Sequence, residues 1–254
     1  TLETLHAPGR GAVLAGPAGV GKSHLLERIA EQLAADGWAP VRAHGDPTRH
    51  QPFDAFGDLL PSLPGDPDRW ALVLRAGVDH LVDRAGGARP VLVADDLHAF
   101  DLASAALVQI AVAAGRLPLV ATIRSGESAP DAVTALWKDD LVERIEVAPL
   151  GVEEAAELAE ALVGGPIDAA TRARLWNWSE GSPLLVTDIV EQAKLDDGWH
   201  RAAGLWRLEG APARSPHLAG LLDGRLAGAP AAVTHLVDAV ALAGHLPMDV
   251  ADGL

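Results

Sequence analysis

The sequence predicts an α/β fold with a parallel sheet, because short apolar runs alternate with helical patterns through the first 148 residues. The first run, Ala12 to Ala15, leads into a glycine-rich turn. The helical pattern after that turn stops at Asp36-Gly37. Four more apolar runs complete the predicted sheet: Trp38 to Ala43, Val91 to Ala94, Leu117 to Ile123, and the residues around Val142, Ile145 and Val147.

From Pro149 onward the pattern is mainly helical, which predicts a second domain. Its third helix is expected to begin at Ser182-Pro183, since serine caps helix N-termini and proline suits the first helical position. The predicted elements are helices over Val152 to Val163 and Arg172 to Trp178, the helix from Ser182-Pro183, a hairpin over Trp199 to Leu208, and helices near Leu218 to Leu226 and Ala231 to Ala243.

Charge, cysteine content and hydropathy exclude several classes of protein. Twenty basic against thirty-five acidic residues give a net charge of −15, so we expect no direct binding to nucleic acid. No apolar run is long enough to span a membrane, and no basic-then-apolar leader predicts a signal peptide. The absence of cysteine favours a reducing cytoplasm. Because the chain starts at Thr1 and its single methionine is Met248, we expect a piece of a longer protein.

One motif predicts a phosphate-binding loop between the first strand and the first helix. The pattern G-x-x-x-x-G-K-[ST] lets successive backbone N–H groups point at phosphate oxygens, next to the partial positive charge of a helix N-terminus. Its lysine would contact the β- and γ-phosphates of ATP, or the β-phosphate of ADP, and its serine would ligate Mg²⁺. The alternative is a plain glycine-rich turn. The motif residues are Gly16, Pro17, Ala18, Gly19, Val20, Gly21, Lys22 and Ser23.

Two aspartates end the predicted strand Val91 to Ala94 and supply the acidic half of such a site. Asp95 is predicted to orient the magnesium ion, and Asp96 to position the attacking water or accept its proton. Aspartate is also common where a strand leads into a turn, because its side chain can hydrogen-bond the backbone of that turn. The alternative for Asp96 is therefore that it caps a turn. Arg124 ends the following strand and would contact the γ-phosphate if the two strands flank the loop; otherwise it is a surface arginine.

Histidines near these motifs do not show metal-binding spacing. His24 directly follows the loop and is included among the residues predicted to lie at the nucleotide. His98 follows the paired aspartates. For both, local polar packing is a simpler interpretation than metal ligation.

These segments together resemble the STAND branch of the AAA+ superfamily. The resemblance is carried by the phosphate loop, by Asp95-Asp96-Leu97-His98 with Asp101 downstream, and by Ile123-Arg124-Ser125-Gly126-Glu127. Gly181-Ser182-Pro183 resembles the G-x-P motif of that branch. The tryptophan-bearing hairpin followed by Leu221-Leu222-Asp223-Gly224-Arg225-Leu226 is similar to the ATPase region of large actinobacterial LuxR-type regulators.

The resemblance implies a P-loop NTPase sheet of the ASCE type with strand order 5-1-4-3-2. It implies three regions: a nucleotide-binding domain at 1–148, a helical lid with a small hairpin at 149–215, and part of a winged-helix-like region at 216–254. Asp95 matches the magnesium-side acid, Asp96 the hydrolytic acid and Arg124 the first sensor. Pro183 matches the lid residue that packs on adenine, although Gly181-Ser182-Pro183 also suits a simple helix cap.

The sequence therefore predicts a regulatory ATPase that uses ATP and Mg²⁺ as a switch with slow hydrolysis. In a longer parent chain, this switch would gate self-association and transcriptional activation through other domains. The alternatives are a module that holds nucleotide for assembly without hydrolysis, and a P-loop kinase for a small molecule. A DNA-loading AAA+ protein would need a basic surface, which the net charge argues against.

Overall fold

The computed structural model describes residues 11–49, 51–60, 70–210, 233 and 235. These residues form two units. One holds the described residues up to Gly151 together with Glu180–Leu184, and the other holds Val152–Ser179 and the described residues from Leu185 onward. The helices predicted near residues 218–226 and 231–243 lie outside the described residues, apart from 233 and 235.

The first unit is built on a five-stranded parallel sheet with the order β2-β3-β4-β1-β5. This is the order 5-1-4-3-2 expected for a P-loop NTPase, read from the other edge. Every residue of β1 is buried, as expected for a strand with a neighbour on each side. The strands are β1 Ala12–Gly16, β2 Trp38–His44, β3 Arg89–Asp95, β4 Leu119–Arg124 and β5 Glu143–Glu146.

Helices cover both faces of the sheet. Successive strand residues point to opposite faces, so each strand contributes side chains to a core on either side. Leu14 packs with the apolar stripe of the first helix, whereas Val13 and Ala15 belong to the larger core on the other face. The helices of this unit are α1 Lys22–Ala35, α2 Trp70–Asp83, α3 Leu102–Ala113 and α4 Asp131–Lys138, with 3₁₀ segments at Asp54–Leu59 and Leu97–Ala99.

The predicted strand Leu117 to Ile123 begins two residues later than expected. Leu117 belongs to the turn after α3, where its N–H donates to the Ala111 carbonyl at 3.3 Å. Pro118 has no N–H to give to a ladder, but its carbonyl accepts from Leu92 at 2.8 Å and so brings the chain alongside β3. The strand itself then starts at Leu119.

The second unit contains helices and the predicted hairpin. The hairpin pairs antiparallel from Trp199 opposite Leu208 to Ala202 opposite Leu205. The Thr171 hydroxyl, fully buried, accepts the Leu208 N–H at 3.1 Å and ties the hairpin to its neighbouring helix. The elements are α5 Val152–Val163, α6 Ala169–Ser179, α7 Pro183–Leu195, β6 Trp199–Ala202 and β7 Leu205–Leu208; the first two residues of α7 group with the sheet unit.

Within the described ranges, none of the helices has both the length and the apolar character that crossing a membrane requires.

Candidate nucleotide-binding site

The predicted phosphate loop joins β1 to α1 at the carboxyl edge of the sheet. Its curvature depends on Gly19 and Gly21, whose φ angles of 81° and 90° lie in the left-handed region that favours glycine. Gly21 directly precedes the first helical residue of α1. The N–H groups of this first turn have no carbonyl four residues earlier to bind, so they are available to an anion.

Lys22 is buried at this helix start although it carries a charge, with only 6% of its surface exposed. Its Nζ donates to the carbonyl oxygens of Gly16 at 2.9 Å and Pro17 at 2.8 Å, which places the amine within the curve of the loop. Burial lowers the pKa of Lys22 below its ordinary value, and the negative charge of Asp96 opposes that shift. A buried cation held only by neutral carbonyls is well placed to bind a phosphate oxygen instead.

Ser23 and Asp95 meet beside the loop. The Ser23 hydroxyl donates to Asp95 Oδ1 at 3.0 Å, although the two residues are 72 positions apart. The Thr122 hydroxyl on β4 donates to the same Asp95 oxygen and accepts the Asp96 N–H at 2.8 Å. Thr122 is fully buried, so it fixes the end of β3 from the neighbouring strand. Thr122, a lone polar residue within the apolar run Leu119 to Ile123, was the sequence signal for this role, and sequence reasoning did not use it.

Asp96 and Arg124 face each other at the same edge. Asp96 adopts a left-handed conformation with φ 55°, which turns the chain out of β3 into the following 3₁₀ segment. Arg124 is paired in register with Gly16, so the predicted proximity of this arginine to the phosphate loop is found in the sheet. Arg124 Nη2 lies 3.4 Å from Asp96 Oδ2. This distance is within the range of an ion pair but long for a hydrogen bond, and the Arg124 side chain is 37% exposed.

His98 and Glu127 extend this charged cluster. The His98 side chain is only 6% exposed, and its Nε2 lies 3.1 Å from Glu127 Oε2. Glu127 Oε1 also lies 3.4 Å from Arg124 Nη1. His98 Nδ1 is 3.8 Å from Asp96 Oδ1 and has no hydrogen-bond partner among the described residues. The polar packing predicted for His98 therefore places it in contact with groups of the candidate site.

Pro183 reaches the loop as part of the segment Glu180–Leu184. A Cβ atom built on Gly21 would lie 4.0 Å from Pro183 Cγ, so the proline ring stands over the start of α1. The Ser182 hydroxyl donates to the Gly19 carbonyl at 3.0 Å, a contact that sequence reasoning did not foresee. His24 lies exposed on α1.

The donor set fits a magnesium ion shared with phosphate. Ser23 and Asp95 offer adjacent oxygen ligands, which is the chemistry Mg²⁺ prefers when phosphates and water complete its coordination. The described residues contain no group of three or more histidine, cysteine, aspartate or glutamate side chains that could hold a metal ion alone. An ion at this place would therefore depend on a nucleotide for part of its ligands.

A second opening lies on the other side of Asp95. It is a cavity of about 530 Å³ at the ends of β2 and β3, lined by apolar residues and by charges of both signs. His44 Nδ1 lies 3.9 Å from Asp95 Oδ2 within it. The charged lining residues are Glu27, Arg42, Asp46, Arg49, Asp54 and Asp95, and His44 lies among them. No sequence motif predicts this cavity.

Comparison with known families gives one match. Residues 1–123 match the family model described as "AAA ATPase domain". Together with the phosphate loop and the strand order, this match, which covers just under half of the chain, supports a P-loop ATPase domain of the AAA type. Among the curated proteins, none matches this chain significantly.

Solved structures that are similar include a RuvB variant from Thermotoga maritima, 19% identical, with a TM-score of 0.48 over 76% of this chain and 59% of that one. Another is AMPPCP-bound DnaA from Aquifex aeolicus, 13% identical, with a TM-score of 0.47 over 76% and 58% of the two chains. Domain III of the Thermotoga maritima replication initiation protein DnaA is 12% identical, with a TM-score of 0.48 over 77% and 81%. The chain thus spans about three fifths of the length of the RuvB chains that it matches.

Proposed function

We propose that this chain binds ATP with magnesium and acts as a regulatory switch that hydrolyses ATP slowly. The observation that carries the proposal is the contact between Ser23 and Asp95, two motif residues 72 positions apart that come within 3.0 Å beside the phosphate loop. Lys22 and Arg124 lie at the same edge, on either side of the paired β1 and β4 ends. Cations, a carboxylate pair and free helix N–H groups therefore converge where a triphosphate would bind.

Each group has a role that its chemistry suits. Backbone N–H groups from Gly16 to Ser23 would hold phosphate oxygens, and Lys22 would contact the β- and γ-phosphates. Magnesium, held by Ser23 and Asp95, would neutralise phosphate charge when bound. Asp96 would orient a water and take its proton as the water oxygen bonds to the γ-phosphorus and the bond to the leaving ADP oxygen breaks.

Two residues would report the nucleotide state. Arg124 would leave its long contacts with Asp96 and Glu127 to bind the γ-phosphate, so its position would differ between ATP and ADP. Pro183 would pack on adenine next to the phosphate loop, with His24 nearby on α1. The switch can be no stronger than the difference in nucleotide affinity between its two arrangements.

The wider role that we propose is that of a STAND-type switch in a LuxR-type transcriptional regulator. The supporting residues are the DDLH segment at Asp95, Arg124 with its loop, and the G-x-P segment at Gly181. Nucleotide would then control self-association or contacts with other domains of the longer chain, in the cytoplasm. The net charge of −15 supports a role without direct nucleic-acid binding by this part.

The cavity beside Asp95 favours one alternative function. A P-loop kinase needs room for a phosphoryl acceptor near the γ-phosphate, and the 530 Å³ cavity reaches Asp95 and carries arginines. Arg42 and Arg49 are paired with the acidic side chains of Glu27 and Asp46, respectively, so their charges are already partly neutralised. We therefore rank the kinase second, and a nucleotide-holding module without hydrolysis third.

The test is phosphate release from ATP by the unaltered chain and by Asp96→Asn. Removing a general base lowers such rates by about 100-fold or more, so we expect Asp96→Asn to lose nearly all turnover. Its affinity for ATP should stay within about twofold, since the amide keeps the size of the side chain and the positive loop remains. Asp139→Asn, at an exposed aspartate after α4, is the matched control.

The outcomes separate the three functions. Slow release that Asp96→Asn abolishes supports the switch. Binding without any release by the unaltered chain supports the nucleotide-holding module. Release or transfer that needs an added small-molecule acceptor supports the kinase, and the cavity would be its acceptor site.

A further inference from the structure

Two groups of the segment Glu180–Leu184 donate hydrogen bonds to one backbone carbonyl oxygen of the phosphate loop. The Ser182 hydroxyl donates to the Gly19 carbonyl at 3.0 Å, and the Leu184 N–H donates to the same oxygen at 3.3 Å. Ser182 and Gly19 are 163 positions apart in the chain. The direction of one carbonyl in the loop is therefore set by residues far along the sequence.

The backbone around Ser182 is itself held in place. The Leu150 N–H donates to the Gly181 carbonyl at 2.8 Å. Gly181 has a φ of 76°, and a Cβ atom at this position would lie 2.1 Å from the Leu150 oxygen. Only glycine can come this close to the Leu150 backbone, so the contact with Leu150 fixes the position of Ser182 beside the loop.

The orientation of the Gly19 carbonyl matters because of the peptide group to which it belongs. No peptide bond among the described residues is cis. In a planar trans peptide the C=O and the N–H point in opposite directions, so fixing the Gly19 carbonyl fixes the Val20 N–H. Gly19 has a φ of 81° and the wide conformational freedom of glycine, so its own backbone does not impose one orientation of this peptide.

We propose that Ser182 is a positioning residue for phosphate binding. By holding the Gly19 carbonyl away from the curve of the loop, it keeps the Val20 N–H directed toward the side on which the Lys22 amine lies. That N–H is then oriented to donate to a phosphate oxygen before nucleotide arrives. The inference rests on the proposed function and extends it: a residue outside the phosphate-loop motif, at the start of α7, sets the affinity of the loop for phosphates.

The experiment measures binding of Mg-ATP and of magnesium tripolyphosphate by calorimetry to the full chain and to Ser182→Ala. Tripolyphosphate lacks adenine, so it reports the loop without the contact proposed for Pro183. Loss of one hydrogen bond that orients the loop should weaken both ligands by about fivefold. The thermal midpoint of the ligand-free chain should fall by no more than about 4 °C, as expected for the loss of one hydrogen bond. Ser182→Thr, which keeps the hydroxyl, should bind within about twofold of the unaltered chain.

Thr134→Ala is the matched control, because it removes a hydroxyl-to-carbonyl hydrogen bond of the same 3.0 Å length from α4. Equal affinities of Ser182→Ala and the unaltered chain for tripolyphosphate would overturn the inference. A loss for ATP alone would also overturn it, since Ser182 would then act at the base through Pro183. If the unaltered chain binds neither ligand, the proposed function is wrong, and so is this inference, which rests on it.

Discussion

At the end of β3, two adjacent aspartates have different partners. Asp95 accepts hydrogen bonds from Ser23 and Thr122, whereas Asp96 faces Arg124 and His98. The difference arises because β3 ends at Asp95 and the left-handed conformation of Asp96 turns the chain away. The pair therefore presents one carboxylate to Ser23, where we propose that magnesium binds, and the other to the arginine that we propose as γ-phosphate sensor.

Replacing that arginine should affect ATP more than ADP. Arg124→Ala removes a guanidinium that would make a charge-assisted hydrogen bond to the γ-phosphate, an interaction of about 1.5–3 kcal/mol. We expect the affinity for Mg-ATP to fall by roughly 10-fold or more, and that for Mg-ADP by less than about twofold. Calorimetric titration of both nucleotides measures the ratio.

Arg116→Ala is the control for this change. Arg116, in the turn after α3, pairs with Asp79 of α2 at 3.0 Å, so Arg116→Ala removes an exposed arginine that is also ion-paired. If Arg124→Ala lowers the two affinities by the same factor, Arg124 contributes only general charge and is no sensor.

His98 should make the stability of the chain depend on pH. Burial holds the pKa of His98 below its ordinary value, although Asp96 and Glu127 attract its proton and Arg124 and Lys22 repel it. Between the folded and the unfolded pKa, the unfolded chain binds more protons. The free energy of unfolding should therefore decrease as the pH falls below about 6.5, by at most about 1.4 kcal/mol per pH unit from this residue.

Urea unfolding of the unaltered chain and of His98→Gln between neutral and mildly acidic pH checks this expectation. The variant should show a smaller decrease than the unaltered chain. His24→Gln, at an exposed position of α1, is the control. The same pH dependence in His98→Gln and the unaltered chain would show that His98 does not carry the effect.

The candidate site could be predicted in part because its motifs are local. Gly16 to Ser23 form one turn, and Asp95-Asp96 follow one strand, so spacing alone locates them. The contacts that Thr122, Glu127 and Ser182 make with Asp95, His98 and Gly19 were not predicted, because each joins two different strands or segments. The strand order implied by the family resemblance already placed β4 between β3 and β1, and Thr122 lies beside Asp95 for the same reason that Arg124 lies beside the loop.

At the scale of elements, the strands and the helices α5, α6 and α7 were predicted better than the helices α2, α3 and α4 of the sheet unit. All five sheet strands were predicted near their observed positions, as were α1, α5, α6, α7 and the hairpin. The helices α2, α3 and α4 were not predicted. In α3 the sequence Leu102–Ala113 is apolar almost all round, and seven of its residues are buried, so it lacks the polar face by which an amphipathic helix is recognised.

The start of α3 shows how a single side chain joins two elements. Asp101 Oδ1 accepts the N–H groups of Ala103 and Ser104 and caps the helix. The same oxygen accepts the N–H of Phe53 at 3.0 Å, next to the 3₁₀ segment that follows β2. The capping role of Asp101 was not predicted from the strand and helix patterns, because a cap can be recognised only when the helix that it caps has been predicted.

At the scale of the whole molecule, the acidic balance and the buried cation act together. Only three lysines occur in the chain, and Lys22 is the one placed at the start of α1. With a net charge of −15, long-range attraction does not favour a triphosphate, so binding must come from the local geometry of the loop and from magnesium. This predicts a steep dependence of affinity on Lys22 and on the metal ion.

The most direct test of the account is therefore a calorimetric titration of ATP with magnesium into the unaltered chain and into Lys22→Ala. We expect saturable one-site binding by the unaltered chain, and an affinity at least about 100-fold lower for Lys22→Ala, because both a charge and its hydrogen bonds are lost. Lys138→Ala, at an exposed lysine of α4, should bind like the unaltered chain. Equal affinities of Lys22→Ala and Lys138→Ala would contradict the assignment of the phosphate loop as the nucleotide site.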